Sequence, residues 1–235
     1  MTTIKLPEKL KAGVFLRRLN RFLVEAQLGG NQVLAHLPNS GRLVTVLVPG
    51  ATAFLQQQRR VERKSNYNLF AIKHSGVPII VDTRFSTVAA QKTIQQDLFK
   101  ALKGYSVVRQ NVKVGHSLLD LLLQRNAKQF FLEIKCVTHV VDEVAMFPDA
   151  PTLRGRKHLH TLMGLVEQGS DAGILFSVQR PDAKRIRPYR EIDPLFTQLL
   201  KEATRMGVKV FTQTLIFKPP NFVEVKTNLP LFSLG

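Results

Sequence analysis

The sequence predicts a two-domain α/β protein, in which a small β-barrel (residues 1–83) precedes an α/β domain (residues 84–235). The first observation is a series of short apolar segments between residues 13 and 82, each ended by a turn signal, which is typical of a small barrel or sandwich. The second is the order of segments after residue 84, which is typical of a sheet covered by helices. The third is the length of 235 residues, which suits one large or two small domains.

Turn signals divide the first domain into short strands. Residues 29–31 (GGN) form a hairpin signal, and residues 38–41 (PNSG) and 49–50 (PG) mark further turns. A five-stranded barrel of the OB type fits this spacing, and that fold often binds oligonucleotides. The candidate strands are residues 14–28, 32–37, 43–48, 52–57, 67–73 and 77–81.

The hydrophobic periodicity changes at about residue 84. Residues 86–103 have the apolar spacing of a helix that ends at Gly104, and residues 171–179 form a continuous apolar run, typical of a buried strand. Residues 143–155 are expected to form a loop. The remaining expected elements are helices at 153–168 and 193–206 and strands at 105–114, 117–123, 129–138, 208–217 and 222–226.

The chain has a formal net charge of +17, from 34 Lys and Arg against 17 Asp and Glu. Residues 1–83 contain 12 basic and 4 acidic residues, and residues 84–235 contain 22 and 13, so both domains are basic. Such an excess predicts a polyanionic partner. DNA is the leading candidate, and RNA remains an alternative. A membrane partner is not expected, because the sequence has no long basic amphipathic helix and no run approaching ~18 apolar residues.

Cysteine content and the N-terminus predict a cytoplasmic protein. The single cysteine, Cys136, cannot form an internal disulfide, and the first residues lack the apolar core of a signal peptide. Cys136 is expected to be a small buried hydrophobe at the end of a strand.

Three charged residues, Asp120, Glu133 and Lys135, interrupt the apolar hairpin of residues 117–136. Because side chains alternate along a strand, Glu133 and Lys135 point to the same face. If the hairpin turns at residues 126–127, Asp120 lies opposite Glu133, about 4.5–5.5 Å apart at Cβ. Two carboxylates this close repel each other unless a cation lies between them, and Mg²⁺ or Mn²⁺ is a suitable cation. The spacing matches the active-site pattern of the PD-(D/E)xK nucleases; a solvent-facing Glu–Lys pair at a sheet edge is the alternative.

Basic residues recur along the first domain and again before residue 158. As a set they indicate phosphate contacts, although each alone could be a solvated surface charge. They are Arg17, Arg18, Arg21, Arg42, Arg59, Arg60, Arg63, Lys64, Arg154, Arg156 and Lys157. The aromatic residues Phe22, Phe54 and Tyr67 could stack on bases, although core positions are the alternative.

The start of the helix at 153–168 is unusually basic. Arg154, Arg156 and Lys157 oppose the helix dipole there, and a phosphate at the helix N-terminus would relieve this arrangement. His158 and His160 are expected on the surface of the helix.

Several motifs resemble the sugar fermentation stimulation protein A family over nearly the whole chain. The most specific is FPDAPTLRGRKHL at residues 147–159. The others are HLPNSGRL (36–43), LVPGA (47–51), FLEIKCVT (131–138), ILFSVQRPDAKRIRP (174–188) and EIDP (191–194).

The resemblance implies an OB-type domain followed by a PD-(D/E)xK-like domain. It also implies DNA binding without marked sequence specificity and a link to the regulation of sugar metabolism, especially of maltose. It places the catalytic set on Asp120, Glu133 and Lys135, with the metal on the two acids. A protein that keeps the nuclease fold and binds DNA without turnover is the alternative.

Overall fold

The structure, a computed structural model, describes residues 1–58 and 65–231. The first strands are β1 (Thr2–Lys5), β2 (Lys11–Asn20), β3 (Leu23–Leu28), β4 (Asn31–His36), β5 (Thr52–Gln57), β6 (Tyr67–His74) and β7 (Val77–Ile80). Helix α1 (Arg84–Gln95) and a 3₁₀ turn (Lys100–Leu102) lead to β8 (Ser106–Val114), β9 (Ser117–Arg125), β10 (Lys128–Val137), β11 (Val140–Val141) and β12 (Val144–Phe147). The chain continues through α2 (Leu153–Glu167), β13 (Asp171–Val178), β14 (Arg185–Pro188), α3 (Pro194–Arg205), β15 (Lys209–Lys218) and β16 (Phe222–Thr227).

The predicted fold class is confirmed: a closed five-stranded barrel is followed by a mixed α/β domain. The barrel sheet has the order β4-β3-β2-β5-β6-β7, and a parallel pairing of β4 with β6 closes it. Large apolar side chains such as Phe15, Leu55 and Ile72 fill its interior. The predicted hairpin turn at Gly29 and Gly30 is present, and both residues have positive φ (+56° and +86°), a conformation that favours glycine.

Two predicted strands of the barrel are wrong. Residues 14–28 form a hairpin, because β2 ends at Asn20 and β3 begins at Leu23. Residues 43–48 form turns, with the amide groups of Val46 and Leu47 donating to the carbonyl of Leu43. Leu43 and Val46 are buried in the barrel core, so the apolar pattern there reflects packing of a turn rather than an extended strand.

The α/β domain is built on a seven-stranded sheet with the order β1-β16-β15-β13-β10-β9-β8. Its central strands β10, β13 and β15 are parallel, and the outer pairs are antiparallel. Residues of α2 and α3 pack with Phe131 and Val137 of β10, whereas residues of α1 pack with Phe130 and Leu132. Both faces of β10 are therefore covered, which explains its nearly continuous apolar sequence.

The N-terminal strand is a departure from the predicted domain order. Residues Thr2–Lys5, which the sequence analysis assigned to the barrel domain, pair with β16 in the sheet of the second domain. One buried apolar cluster includes Leu6, Phe54 of the barrel and Phe217 of β15. The two domains therefore share a core, and the space between them is fixed by close packing.

Two expectations in the second domain also need correction. Residues 143–155 are not a plain loop, because β12 joins β11 and β14 in a small sheet. The apolar run of β12 has only four residues and is followed by two prolines, so it gives a weak strand signal. Helix α1 ends at Gln95 instead of residue 103. Asp97, two residues after this end, adopts a positive φ. Within the two described ranges, none of the helices combines the length and apolar character of a membrane span.

Candidate metal and nucleic-acid site

A cleft of about 630 Å³ lies between the barrel and the α/β domain. One wall is the β9–β10 hairpin, and the opposite wall is the barrel segment of residues 39–43 together with the start of α1. Asp120, Glu133 and Lys135 all line it. The structure therefore brings the three charged residues singled out in the sequence to one place, on a concave surface.

The hairpin register explains how the two acids meet. Leu121 pairs with Leu132, so the next position along both strands places Asp120 opposite Glu133. At this position the Asp120 side chain, and not its backbone, bonds to β10: its Oδ2 accepts a hydrogen bond from the amide of Ile134 at 2.7 Å. The acid is therefore held by the backbone of the neighbouring strand, and its rotamer is constrained.

Glu133 is almost fully buried, with 2% of its surface exposed. Its Oε1 accepts from Lys135 Nζ at 2.7 Å and contacts His158 Nδ1 at 2.5 Å. Its Oε2 has no hydrogen-bond partner among the residues that the structure describes. A buried carboxylate oxygen without a partner carries a substantial desolvation cost, and a bound cation would remove that cost.

The pKa values of the two acids are shifted in opposite directions. Burial, and then the charge of Glu133, raise the pKa of Asp120 to about 7. Burial alone would raise the pKa of Glu133 as well, but the hydrogen bond from His158 and the charge of Lys135 hold it below its ordinary value. Two carboxyl groups this close therefore resist joint ionisation near neutral pH.

His158 is part of this site, and its predicted surface position is wrong. It lies on α2 with 2% of its surface exposed, whereas His160 is exposed as predicted. Arg154 Nε donates a hydrogen bond to His158 Nε2 at 3.4 Å, so Nε2 is the acceptor of the ring. The other nitrogen, Nδ1, therefore carries the hydrogen and donates it in the hydrogen bond to Glu133 Oε1. Helical spacing from the buried Gly155 and Leu162 places position 158 on the buried face, a signal that the sequence analysis did not use.

Two further cations border the cleft. Arg154 is exposed at the start of α2, and Arg84 is the first residue of α1. Arg84 also donates to the buried Asp82 carboxylate, which fixes its position at the mouth of the cleft. Both residues line the cleft, where an anion would meet their positive charge.

The arginines of the barrel divide into structural and exposed groups. Arg18 donates to the carbonyls of Arg21, Gly41 and Arg42, so its guanidinium holds two loops together and is committed to that role. Burial, and then the charge of Arg21, lower the pKa of Arg18. Arg17 is exposed but pairs with Glu25 at 2.8 Å. Arg21 and Arg42 are exposed and remain candidates for phosphate contacts.

The other predicted phosphate contacts have different outcomes. Arg156 lies 3.5 Å from the carboxylate of Asp193, which caps α3, so its charge is used inside the domain. Lys157 is exposed on α2, beside the groove between α2 and α3 rather than in the cleft. The remaining four, Arg59, Arg60, Arg63 and Lys64, lie outside the described residues.

The barrel wall of the cleft is tied to the second domain. Asn39 donates through Nδ2 to the carbonyl of Val81, and its Oδ1 accepts from the amide of Gly41. The hydroxyl of Thr83, at the start of α1, donates to the carbonyl of Pro38 at 2.7 Å. The segment is thus anchored at both the barrel and α1, and we call residues 38–41 the roof loop.

The donor set fits a divalent cation bound by oxygen. Asp120 and Glu133 supply carboxylate oxygens, and no described residue bonds to Glu133 Oε2, which leaves that atom available for coordination. The described residues contain no cluster of three His, Cys, Asp or Glu side chains able to enclose a metal by themselves. Such a two-acid set is typical of Mg²⁺ sites, in which waters and substrate phosphates complete the coordination.

Comparison with known proteins gives consistent matches over nearly the whole chain. The family described as "SfsA N-terminal OB domain" matches residues 16–81, and the "Sugar fermentation stimulation protein RE domain" matches residues 84–227. A sugar fermentation stimulation protein homolog of Alkaliphilus metalliredigens is 36% identical, over 96% of this chain and 97% of the relative. The homolog of Caldanaerobacter subterraneus is 37% identical, over 92% and 94%. A solved structure described as Pyrococcus furiosus SfsA in complex with Ca²⁺ has a TM-score of 0.92 and 29% identity, over 98% of this chain and 99% of that one.

Proposed function

The chain belongs to the sugar fermentation stimulation protein family, and on that premise we propose that it binds DNA without strong sequence specificity and hydrolyses phosphodiester bonds at a divalent-metal site. Asp120 and Glu133 hold the metal in this proposal. The observation that carries it is the buried Glu133 Oε2, which has no hydrogen-bond partner among the described residues and lies beside a second, partly buried acid, Asp120, in a cleft that Arg84, Lys135 and Arg154 also line. The Ca²⁺ in the structure of the related Pyrococcus furiosus protein supports an oxygen-ligated divalent cation as the ligand class.

Each residue of the site has a distinct task in this proposal. When bound, Mg²⁺ or Mn²⁺ supplies charge neutralisation on the phosphate and lowers the pKa of a water. Lys135, held by Glu133 at 2.7 Å, stabilises negative charge that develops at the reacting phosphate. Arg84 and Arg154, at the rim of the cleft, bind the flanking phosphates.

Incubation of supercoiled plasmid with the protein and Mg²⁺ or Mn²⁺ tests the catalytic part. We expect nicked or linear DNA that is absent when EDTA is added. A plasmid that stays intact, while a DNA fragment is still shifted on a native gel, would contradict turnover and support a binding module that keeps only the nuclease fold.

We expect DNA binding to weaken steeply with salt. If the exposed cations contact about six phosphates, affinity should fall by ~10³-fold between 50 and 200 mM salt, because each contact releases a counterion. Fluorescence anisotropy with a labelled fragment, in EDTA to prevent cleavage, measures the slope. A slope near zero would contradict phosphate contacts as the source of affinity.

His158 is expected to act as a positioning residue for Glu133. Replacing it with alanine removes the hydrogen bond to Oε1 and should weaken Ca²⁺ binding by ~10–100-fold, the usual range for partners of metal ligands. Isothermal titration calorimetry measures this affinity, and His158→Asn, whose amide can donate from near the Nδ1 position, should restore part of it. The exposed neighbour His160→Ala is the matched control. Equal Ca²⁺ affinity in wild type and His158→Ala would contradict the role.

The family name leads to a cellular proposal as well. We propose that the protein acts in the cytoplasm and influences the use of sugars, especially maltose, through its binding to DNA. Growth of a deletion strain on maltose, complemented by wild type or by a variant without DNA affinity, tests this link. Full complementation by the variant would contradict it.

A further inference from the structure

The structure separates the three aromatic residues that the sequence offered for base stacking. Phe54 is buried in the cluster between the domains, and the ring of Tyr67 is partly buried below Lys11. Phe22 is different, because 46% of its surface is exposed. Phe22 is therefore the most accessible of the three rings to a ligand.

An arginine and a second aromatic ring lie beside the Phe22 ring, and this combination is found on surfaces that bind nucleic-acid bases. The guanidinium of Arg21 lies 5.4 Å from the centroid of the Phe22 ring. The ring of His36 lies 6.3 Å away, with an angle of 32° between the two planes. We call Arg21, Phe22 and His36 the aromatic platform. Aromatic rings combined with arginine bind bases through stacking and cation–π contacts, with little dependence on sequence.

Hydrogen bonds connect the platform directly to the cleft. The carbonyl of Phe22 accepts from the amide of Leu37, immediately before the roof loop. Arg18 bridges the carbonyls of Arg21 and Gly41, so it links the turn between β2 and β3 to the roof loop. Gly41 lines the cleft that contains the acids. The platform and the wall of the cleft therefore belong to segments that are bonded to each other.

The roof loop restricts what can enter. An added Cβ at Gly41 would lie 3.5 Å from Asp149 Oδ2, so the barrel and the second domain nearly touch across the cleft. The roof loop is also fixed by Asn39, Arg18 and Thr83, and the domains share a core. A cleft of about 630 Å³ has the size of a small-molecule site (~300–1,000 Å³), which favours a few nucleotides of one strand over a duplex.

We propose that the aromatic platform binds an unpaired base, and that the substrate is single-stranded DNA, or a single-stranded flap, whose neighbouring phosphates enter the cleft. This inference rests on the proposed DNA binding and specifies its substrate class. The platform supplies base stacking, and Arg84 and Arg154 supply phosphate contacts at the rim of the cleft.

Fluorescence anisotropy tests the proposal without dependence on metal or turnover. A labelled single strand of about 16 nucleotides and its duplex are titrated in EDTA against wild type, Phe22→Ala, Phe22→Trp and Val44→Ala. Wild type should bind the single strand more tightly than the duplex. Phe22→Ala should weaken single-strand binding by about 5- to 150-fold, the range expected for one stacked base, whereas Phe22→Trp should retain it. Val44, which is 77% exposed on the barrel, is the control for loss of an exposed apolar side chain and should have no effect.

The outcomes separate this proposal from the proposed function. Unchanged single-strand affinity in Phe22→Ala would overturn the platform and leave DNA binding intact. Equal weakening for single strand and duplex, or tighter binding of a single-stranded RNA of the same sequence, would overturn the substrate class. Failure of the wild type to bind either form of DNA would overturn the proposed function itself. Thermal unfolding of each variant checks that the exposed substitution leaves the fold intact.

Discussion

Replacing Asp120 with asparagine is expected to lower metal-dependent DNA cleavage by ~10²–10⁴-fold while DNA binding is retained. The metal contributes several kcal/mol of charge stabilisation in phosphodiester hydrolysis, and each 1.36 kcal/mol corresponds to a factor of ten in rate. Asparagine keeps the acceptor for the amide of Ile134, so the β9–β10 hairpin should persist. The substitution removes only the charge that would hold the cation.

Cleavage of a labelled oligonucleotide under single-turnover conditions measures this loss. Asp142→Asn is the matched control, because Asp142 is exposed outside the cleft and its positive φ of 47° is readily adopted by asparagine. The control should cleave at the wild-type rate. Cleavage by Asp120→Asn at the rate of the control would remove Asp120 from the mechanism and indicate a contaminating nuclease or a different site.

The same substitution is expected to stabilise the metal-free protein. Burial and the nearby Glu133 raise the pKa of Asp120 to about 7, so its ionised form destabilises the fold. The hydrogen bond from the amide of Ile134 and the attraction of Lys135 and Arg154 offset this only in part. Below about pH 4 the acid is protonated in both folded and unfolded chains and has no effect. As the pH rises from about 4 to about 7 the unfolded chain loses the proton first, and stability falls.

Asp120→Asn should therefore raise the free energy of unfolding by ~2–4 kcal/mol at pH 8 in EDTA, and by little near pH 4. Urea denaturation at both pH values measures the difference. Saturating Ca²⁺ should stabilise wild type, by ~2.7 kcal/mol at 100 times the dissociation constant, and should leave the variant unchanged. A variant less stable than wild type at pH 8 in EDTA would contradict the repulsion between the two acids.

The hairpin at the centre of the site could be predicted because its geometry is local. Strand alternation and a turn at residues 126–127 are sufficient to place Asp120 opposite Glu133, and the observed register agrees. The order of elements in the second domain was also readable, because its helices and buried strands are long and strongly periodic. Short segments such as Val144–Phe147 were missed, since four residues give too little periodicity beside two prolines.

Other features depend on contacts between distant parts of the chain. Nothing in the sequence of residues 2–5 indicates that they pair with β16, more than two hundred residues later. Arg18 and Arg156 were assigned to phosphates because charge alone does not show which guanidinium groups are bonded within the fold. Helical spacing indicates the buried face for His158, but it does not indicate its partner, Glu133, which lies on another element.

The location of a divalent cation tests the central claim most directly. Crystals soaked in Mn²⁺ give an anomalous difference peak wherever the ion binds. The account predicts a peak between the carboxylates of Asp120 and Glu133, on the side of Glu133 Oε2, and its absence from Asp120→Asn crystals. Fully occupied Mn²⁺ elsewhere in the molecule, with no peak between these two acids, would contradict it.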